Sequence, residues 1–297
     1  MAPERSIGEG WDILLQIMRL GKFKRWFLRL FDRSGNELLV GKGSVCSVDR
    51  NAQMDHCFVK VGGKSKVILS EGARVSRTRF QLSGNSTVTI GPGCVLEDAD
   101  ICLWAGSSLT VGERSRLYRA HIVLERGEAD LGPDNVLSPC KSVFPPSIRI
   151  AHGTLETGDH NHLGCSFWIR FGGKIVVGRY NCINHGSEIR SDEQVTIGSY
   201  NMISYDCDIW DTNTHRFYSL EEKKEMFPED FPYVGKEQNK PDTKPVTIGD
   251  GNWIGKRSCI LKGSTLGNET VVGTRAIVSN MTVGDGQRVL PSKSEIK

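Results

Sequence analysis

Two places in the chain gather residues able to do chemistry. The run Asp211-Thr212-Asn213-Thr214-His215 opens a stretch of about 30 residues in which an otherwise regular pattern is lost. An imidazole with a pKa near ~6.5 can take the proton of a hydroxyl as that oxygen attacks a carbonyl, a contribution of about 10²–10⁴ in rate. Asp211 or Asn213 can orient the ring or contact a bound molecule. The oxyanion formed would need a hydrogen-bond donor, and no residue type marks one. The plain alternative is a surface histidine with no role. The second place holds Trp253, Gly255, Lys256, Arg257, Ser258 and Lys262, followed by Gly273, Thr274, Arg275 and Ala276. Its four cations suit phosphate-like groups as charge-assisted donors, or are simply solvated corners. Trp253 lines a site mouth or packs. A third group, His152, His160, His162 and His185 with Cys165, invites a metal, but its spacing is not that of a metal site, and no metal is expected.

The elements that must position these residues are legible in a repeat. An aliphatic residue followed by Gly or another small residue recurs at Leu69, Ile90, Val111, Leu131, Ile150, Val177, Ile197, Ile248 and Leu266. The spacings are 21, 21, 20, 19, 27, 20, 51 and 18. A finer period of six runs through Ile248, Ile254, Ile260, Leu266, Val272 and Val278, with small residues at Ser258, Ser264, Thr270 and Ala276. Helices repeat apolar residues at three and four, and strands at two. A period of six closed every 18 predicts three short strands and three turns per coil. Such coils are unstable alone and share one core when stacked at ~4.8 Å, about 40 Å for nine coils. Asn181, Asn201 and Asn252 fall at one equivalent position and are expected to stack as a ladder.

These in-register hexads resemble the hexapeptide-repeat acyltransferases, a family of left-handed parallel β-helices that includes serine, maltose and galactoside acetyltransferases. The likeness spans roughly residues 64–285 and is most specific from Val177 to Val283. Asp211–His215, the excursion and Ile248-Gly-Asp-Gly-Asn-Trp-Ile-Gly255 resemble a subgroup of sugar O-acetyltransferases with D-T-D-x-H before an I-G-D-x-x-W-I-G coil. Asn213 stands where the subgroup more often has Asp. The resemblance implies an all-β solenoid, a left-handed parallel β-helix of about nine coils with an N-terminal amphipathic helix and one long loop excursion. It also implies His215 as general base, acetyl-CoA as donor along the late coils, a homotrimer, and a carbohydrate acceptor such as a bacterial surface polysaccharide or its precursor. Alternatives are an N-acetyltransferase of an amino sugar nucleotide, a zinc carbonic anhydrase and a non-catalytic scaffold.

Composition narrows the classes. The 297 residues carry 38 Lys+Arg against 35 Asp+Glu, a net charge of +3, too mild for a nucleic-acid binder. No run is long and apolar enough for a membrane span. Glycine, at 33 residues, is enriched over the usual ~7%. Nine cysteines, without a C-x-x-C pair, suit a reducing cytoplasm, and no signal peptide is read at the N-terminus. Residues 1–35 are read as a helical extension. Within it, positions 11–33 form a basic amphipathic helix that caps the solenoid or contacts the inner face of an anionic membrane. Residues 36–63 are a lead-in with an irregular first coil, 64–285 the β-helix with its loop at 215–245, and 286–297 a tail. The loop aromatics Phe217, Tyr218, Phe227, Phe231 and Tyr233 suit sugar faces, a lid or a subunit arm, with Glu221–Glu225 a solvated turn of helix.

Overall fold

The computed structural model describes residues 27–31, 34–138, 147–232 and 239–291. They form parallel β-solenoid coils of three short strands each, in two compact units, 1–146 and 147–297. Every coil runs through a first, a second and a third sheet, and the turns between them make a first, a second and a third corner. The first unit holds five coils, from Glu37–Gly41 to Val136–Leu137. The second holds six, from Ile148–Ile150 to Arg288–Val289. The described count is therefore eleven, not about nine, because regular coils begin at Glu37 rather than residue 64. The coil that starts at Glu37 hides in the sequence because its second-sheet strand, Val45–Val48, lacks the aliphatic–Gly punctuation. Val48 is followed by Asp49, and pairing with Leu69 of the next coil reveals it. The segment 151–168, which holds three of the histidines and Cys165, carries the regular strands Gly153–Thr157 and His162–Leu163.

The hexad rule holds in space. In the second unit Ile189, Ile209, Ile260 and Val278 align down the first sheet, and Ile197, Ile248 and Leu266 down the second. Ile183, Ile203, Ile254 and Val272 align down the third. All are essentially fully buried. Gly198 follows its aliphatic residue because the next coil passes too closely: a Cβ there would lie 2.7 Å from the carbonyl oxygen of Gly249.

At the second corner the asparagine ladder is longer than expected, running from Asn161 through Asn181, Asn201 and Asn252 to Thr270. Each Oδ1 accepts the backbone N–H one coil on, at 2.7–2.9 Å. The amides of Asn181 and Asn201 also donate to the Oδ1 before them at 3.0 Å. All five side chains are buried, and the ladder gives the backbone N–H groups of this corner their acceptors.

Of the helix expected over 11–33, residues 1–26 lie outside the described residues, and Phe27–Phe31 is a strand. It runs antiparallel to Glu37–Gly41. F-L-R-L-F is short and rich in β-formers, and it covers the edge of the first coil, which would otherwise be a bare strand. No helix among the described residues is long and apolar enough to cross a membrane.

Asn201→Ala leaves the buried N–H of Asn252 without its acceptor. It is expected to cost about 1–3 kcal/mol in denaturant unfolding, whereas outward-facing Gln194→Ala stays within about 0.5 kcal/mol.

Candidate functional site

The excursion leaves the solenoid at the first corner, after Asp208–Trp210, and returns there before Val246–Ile248. Its base is laced shut. Asn213 N–H donates to the Asp242 carbonyl at 3.1 Å, and Lys244 N–H to the Asp211 carbonyl at 2.9 Å. Thr212 and Thr243 form an antiparallel bridge, and the Thr243 hydroxyl donates to Glu193.

Asp211 is buried and faces the previous coil. Its carboxylate accepts the N–H of Asp192 and of Glu193, each at 2.9 Å, and the Ser191 hydroxyl at 2.8 Å. Burial pushes this carboxyl up from the usual range, against the pull of those donors. Its oxygens hold the corner's backbone in place. The adjacent Asn213 contributes the backbone contacts at the loop base, and its carbonyl accepts the N–H of His215 at 2.8 Å.

That i→i+2 bond closes a three-residue turn around Thr214, whose φ is +67°. A positive φ in a β-branched residue is a genuine outlier and costs of the order of 1–3 kcal/mol. The surroundings hold it there. Arg170 pairs with Asp192 through Nε–Oδ1 at 2.9 Å and Nη2–Oδ2 at 2.6 Å, and its Nη2 also donates to the Thr214 carbonyl at 3.2 Å. The Thr212 hydroxyl donates to Asp192 Oδ2 at 2.7 Å and accepts the Thr214 N–H at 3.1 Å. His215 follows directly, with its side chain exposed.

Beside this corner, on the outward face of the first sheet, the Arg190 guanidinium lies between Trp168 and Trp210, 3.9 and 5.0 Å from the ring centroids. It pairs with Glu188 at 2.8 Å. Burial holds the Arg190 pKa down and pushes the Glu188 and Asp208 carboxyls up.

The residues singled out in the late coils gather mostly at the third corner. Gly255, Ser258 and Ala276 are buried there. The Ser258 hydroxyl is shared by the carbonyls of Gly255 and Gly273 at 2.7 and 2.9 Å, and a Cβ on Gly255 would meet the Thr274 nitrogen at 2.6 Å. These residues make the corner tight. What the corner presents to solvent is Lys256, Arg257, Thr274 and Arg275. Arg257 and Arg275 occupy the same left-handed position in successive coils, at φ +59° and +63°. Lys256 and Arg257 share one carboxylate, Asp206, at 3.7 and 3.6 Å. Trp253, 56% exposed, stands on the adjoining third sheet beside the exposed Met202. Lys262 sits apart at the first corner, next to the returning excursion, where the Gly263 N–H reaches the Lys244 carbonyl at 3.2 Å. One chain thus places His215 and most of the cationic group on different corners, about 15–20 Å apart across a face of five or six residues.

Within the excursion, helix α1 (Leu220–Asp230) is longer than the single turn expected. A capping box starts it, with Glu222 N–H on the Ser219 hydroxyl at 3.1 Å and Ser219 N–H on the Glu222 carboxylate at 2.6 Å. None of its residues is buried, and Phe217 and Phe231 are also exposed. Tyr233 lies outside the described residues. Among the histidines weighed for a metal, His160 stacks on Tyr180 at 4.7 Å and approaches Asp159 at 2.7 Å, and His185 tilts against Tyr205. His162 Nδ1 is 3.8 Å from Cys182 Sγ. Among the described residues no three such side chains are arranged to hold an ion.

Arg170 and Asp192 are the parts of the site that the sequence reading passed over. They lie 44 and 22 positions before Thr214, and no local spacing ties them to it. The one available signal was Asp192 itself, a charged residue at a corner of an otherwise regular coil.

Two solved structures are similar to the chain over most of its length. The polySia specific acetyltransferase NeuO is 16% identical, with 84% of this chain and 70% of that one covered and a TM-score of 0.25. The polysialic acid O-acetyltransferase OatWY is 13% identical, with 86% and 91% covered and a TM-score of 0.31. No family model matches the chain, and no curated protein does.

Asp211→Ala removes the acceptor of two backbone N–H groups and one hydroxyl. It is expected to destabilise the second unit by about 2 kcal/mol or more, read as a lowered unfolding midpoint in urea.

Proposed function

We propose that this chain is an acetyl-CoA-dependent O-acetyltransferase acting on a carbohydrate hydroxyl, with His215 as general base. The observation that carries the reading is the placement of His215. An exposed imidazole follows a strained turn whose backbone is held from both sides, as a site with a fixed geometry requires and an idle loop histidine does not.

The reaction then runs as follows. The acceptor O–H gives its proton to the imidazole as its oxygen attacks the acetyl carbon. The carbon–sulfur bond of the thioester breaks, and the imidazolium returns the proton to the departing thiolate. The donor's phosphates would be met by Lys256, Arg257 and Arg275 at the third corner. Their exposure and the single shared carboxylate leave an excess of positive charge there.

The separation of the two corners supports a homotrimer in which the first corner of one subunit faces the third corner of the next, within a ring of heterologous contacts. Trp168, Trp210 and the exposed Phe217 near the His215 corner suit the apolar faces of sugar rings. We read the acceptor as a surface polysaccharide of a bacterium or its precursor, modified in the cytoplasm at the inner face of the membrane.

Release of free coenzyme A from acetyl-CoA tests the reading, with polysialic acid, a neutral dextran and an amino sugar nucleotide as acceptors. A hydroxyl-only glycan is expected to drive release, and His215→Ala to lower it about 10²–10⁴-fold while folding normally. Wild-type turnover in that variant would remove His215 from the chemistry.

The shared site has its own test. Mixing His215→Ala with a Lys256→Ala/Arg257→Ala/Arg275→Ala variant, then unfolding and refolding them together, is expected to restore about a quarter of wild-type activity. Each mixed trimer would regain one site. No recovery from two separately inactive variants would place the whole site within one subunit.

A further inference from the structure

Arg170 and Asp192 form an ion pair that the fold does not need for its core. Asp192 is fully buried and the Arg170 side chain is 13% exposed. Replacing such a pair with apolar side chains of similar size is often neutral or stabilising, so its geometry is the feature to explain. The pair closes a ring of hydrogen bonds through four residues. Arg170 grips both oxygens of Asp192, Asp192 accepts the Thr212 hydroxyl, that oxygen accepts the Thr214 N–H, and Arg170 takes the Thr214 carbonyl. Both backbone polar groups of Thr214 are therefore held, and Thr214 is the residue at φ +67°. The Trp168 and Phe171 rings, 5.4 and 5.0 Å from the guanidinium carbon, flank the guanidinium in turn.

We propose that Arg170, through Asp192 and Thr212, is the positioning residue for His215. It holds the turn at Thr214 in its left-handed conformation, so that the imidazole stands at one fixed place above the first corner. Arginine is required because the task takes a fork for the carboxylate and a further N–H for the carbonyl, and a lysine ammonium has no such planar array. Neither Arg170 nor Asp192 touches substrate in this scheme. Both act through the backbone of Thr214. The proposal rests on the reading of His215 as general base.

The test is steady-state kinetics of Arg170→Lys and Thr214→Gly, run with acetyl-CoA and the most active glycan of the panel above, alongside His215→Ala. Misplacement of a catalytic group by about 1 Å costs on the order of 10²-fold. Arg170→Lys is expected to lower kcat by about that factor, with KM for both substrates within about twofold. Thr214→Gly relieves the strain and is expected to unfold at the same temperature or higher, yet to lose kcat likewise because glycine releases the turn. Added guanidinium is expected to restore part of the activity of Arg170→Ala. If Arg170→Lys does not fold, Thr214→Gly decides the question alone.

Unchanged kcat in the folded variants, or a rise in KM in place of a fall in kcat, would overturn the positioning role while leaving His215 as base. Wild-type turnover in His215→Ala would instead overturn the reading on which the proposal stands.

Discussion

Each coil of this protein is too thin to hold a core, so its aliphatic side chains are buried only where the coils on either side present theirs at the same level. Everything else in the structure answers to that register. It sets one inward residue per sheet at intervals of six, and it brings successive coils so close at Gly198 that a side chain has no room. It also places polar residues inside the corners, where neighbours one coil away supply many of their partners. The ladder from Asn161 to Thr270 is the clearest case, each amide oxygen receiving the next coil's backbone N–H.

The same constraint explains how an excursion of more than 30 residues is tolerated. The chain must re-enter at the level and the corner where it left, or every coil beyond loses its register. Asn252 continues the ladder from Asn201 at 2.8 Å although 51 residues separate them. The bridge between Thr212 and Thr243, and the bond from Lys244 to Asp211, bring the ends together. Asp211 is therefore both a first-corner residue of its coil and the fastening of the excursion. Its buried carboxylate serves the backbone of the coil before it. Helix α1, with no buried residue, belongs to an excursion whose base is closed by hydrogen bonds.

A solenoid also separates functions by corner. Residues at equivalent positions of successive coils form columns, so charge or aromatic character repeated in sequence becomes a stripe in space. Arg257 and Arg275 make such a column, as do His160, Tyr180 and Tyr200, whose rings stack at 4.7 and 5.3 Å. The inward partners Ser258 and Ala276 hold the first of these columns in place. One prism places imidazole and guanidinium groups on different edges, and side-by-side association would bring them together.

The period of six, the small residues four positions on and the aliphatic–Gly repeat by themselves determined that the chain stacks three-stranded coils, which residues face inward, and where the regular pattern opens. They did so because each of these features reports contacts between residues at a fixed separation. The first coil escaped that reading, since Val48 on its second sheet is followed by Asp49 rather than glycine and only pairing with Leu69 of the next coil identifies it. The strand Phe27–Phe31 escaped because an amphipathic pattern of helical spacing says nothing about an edge waiting to be paired. His215 was legible as a candidate from its run and its place before the excursion. The conformation that presents it was not. Thr214 is held by Arg170 and Asp192, two coils and one coil away, and a hydrogen-bond ring across three coils leaves no periodic trace in the sequence. Only the stacked structure, by bringing successive first corners within a few ångströms of one another, decides which side chains share a site.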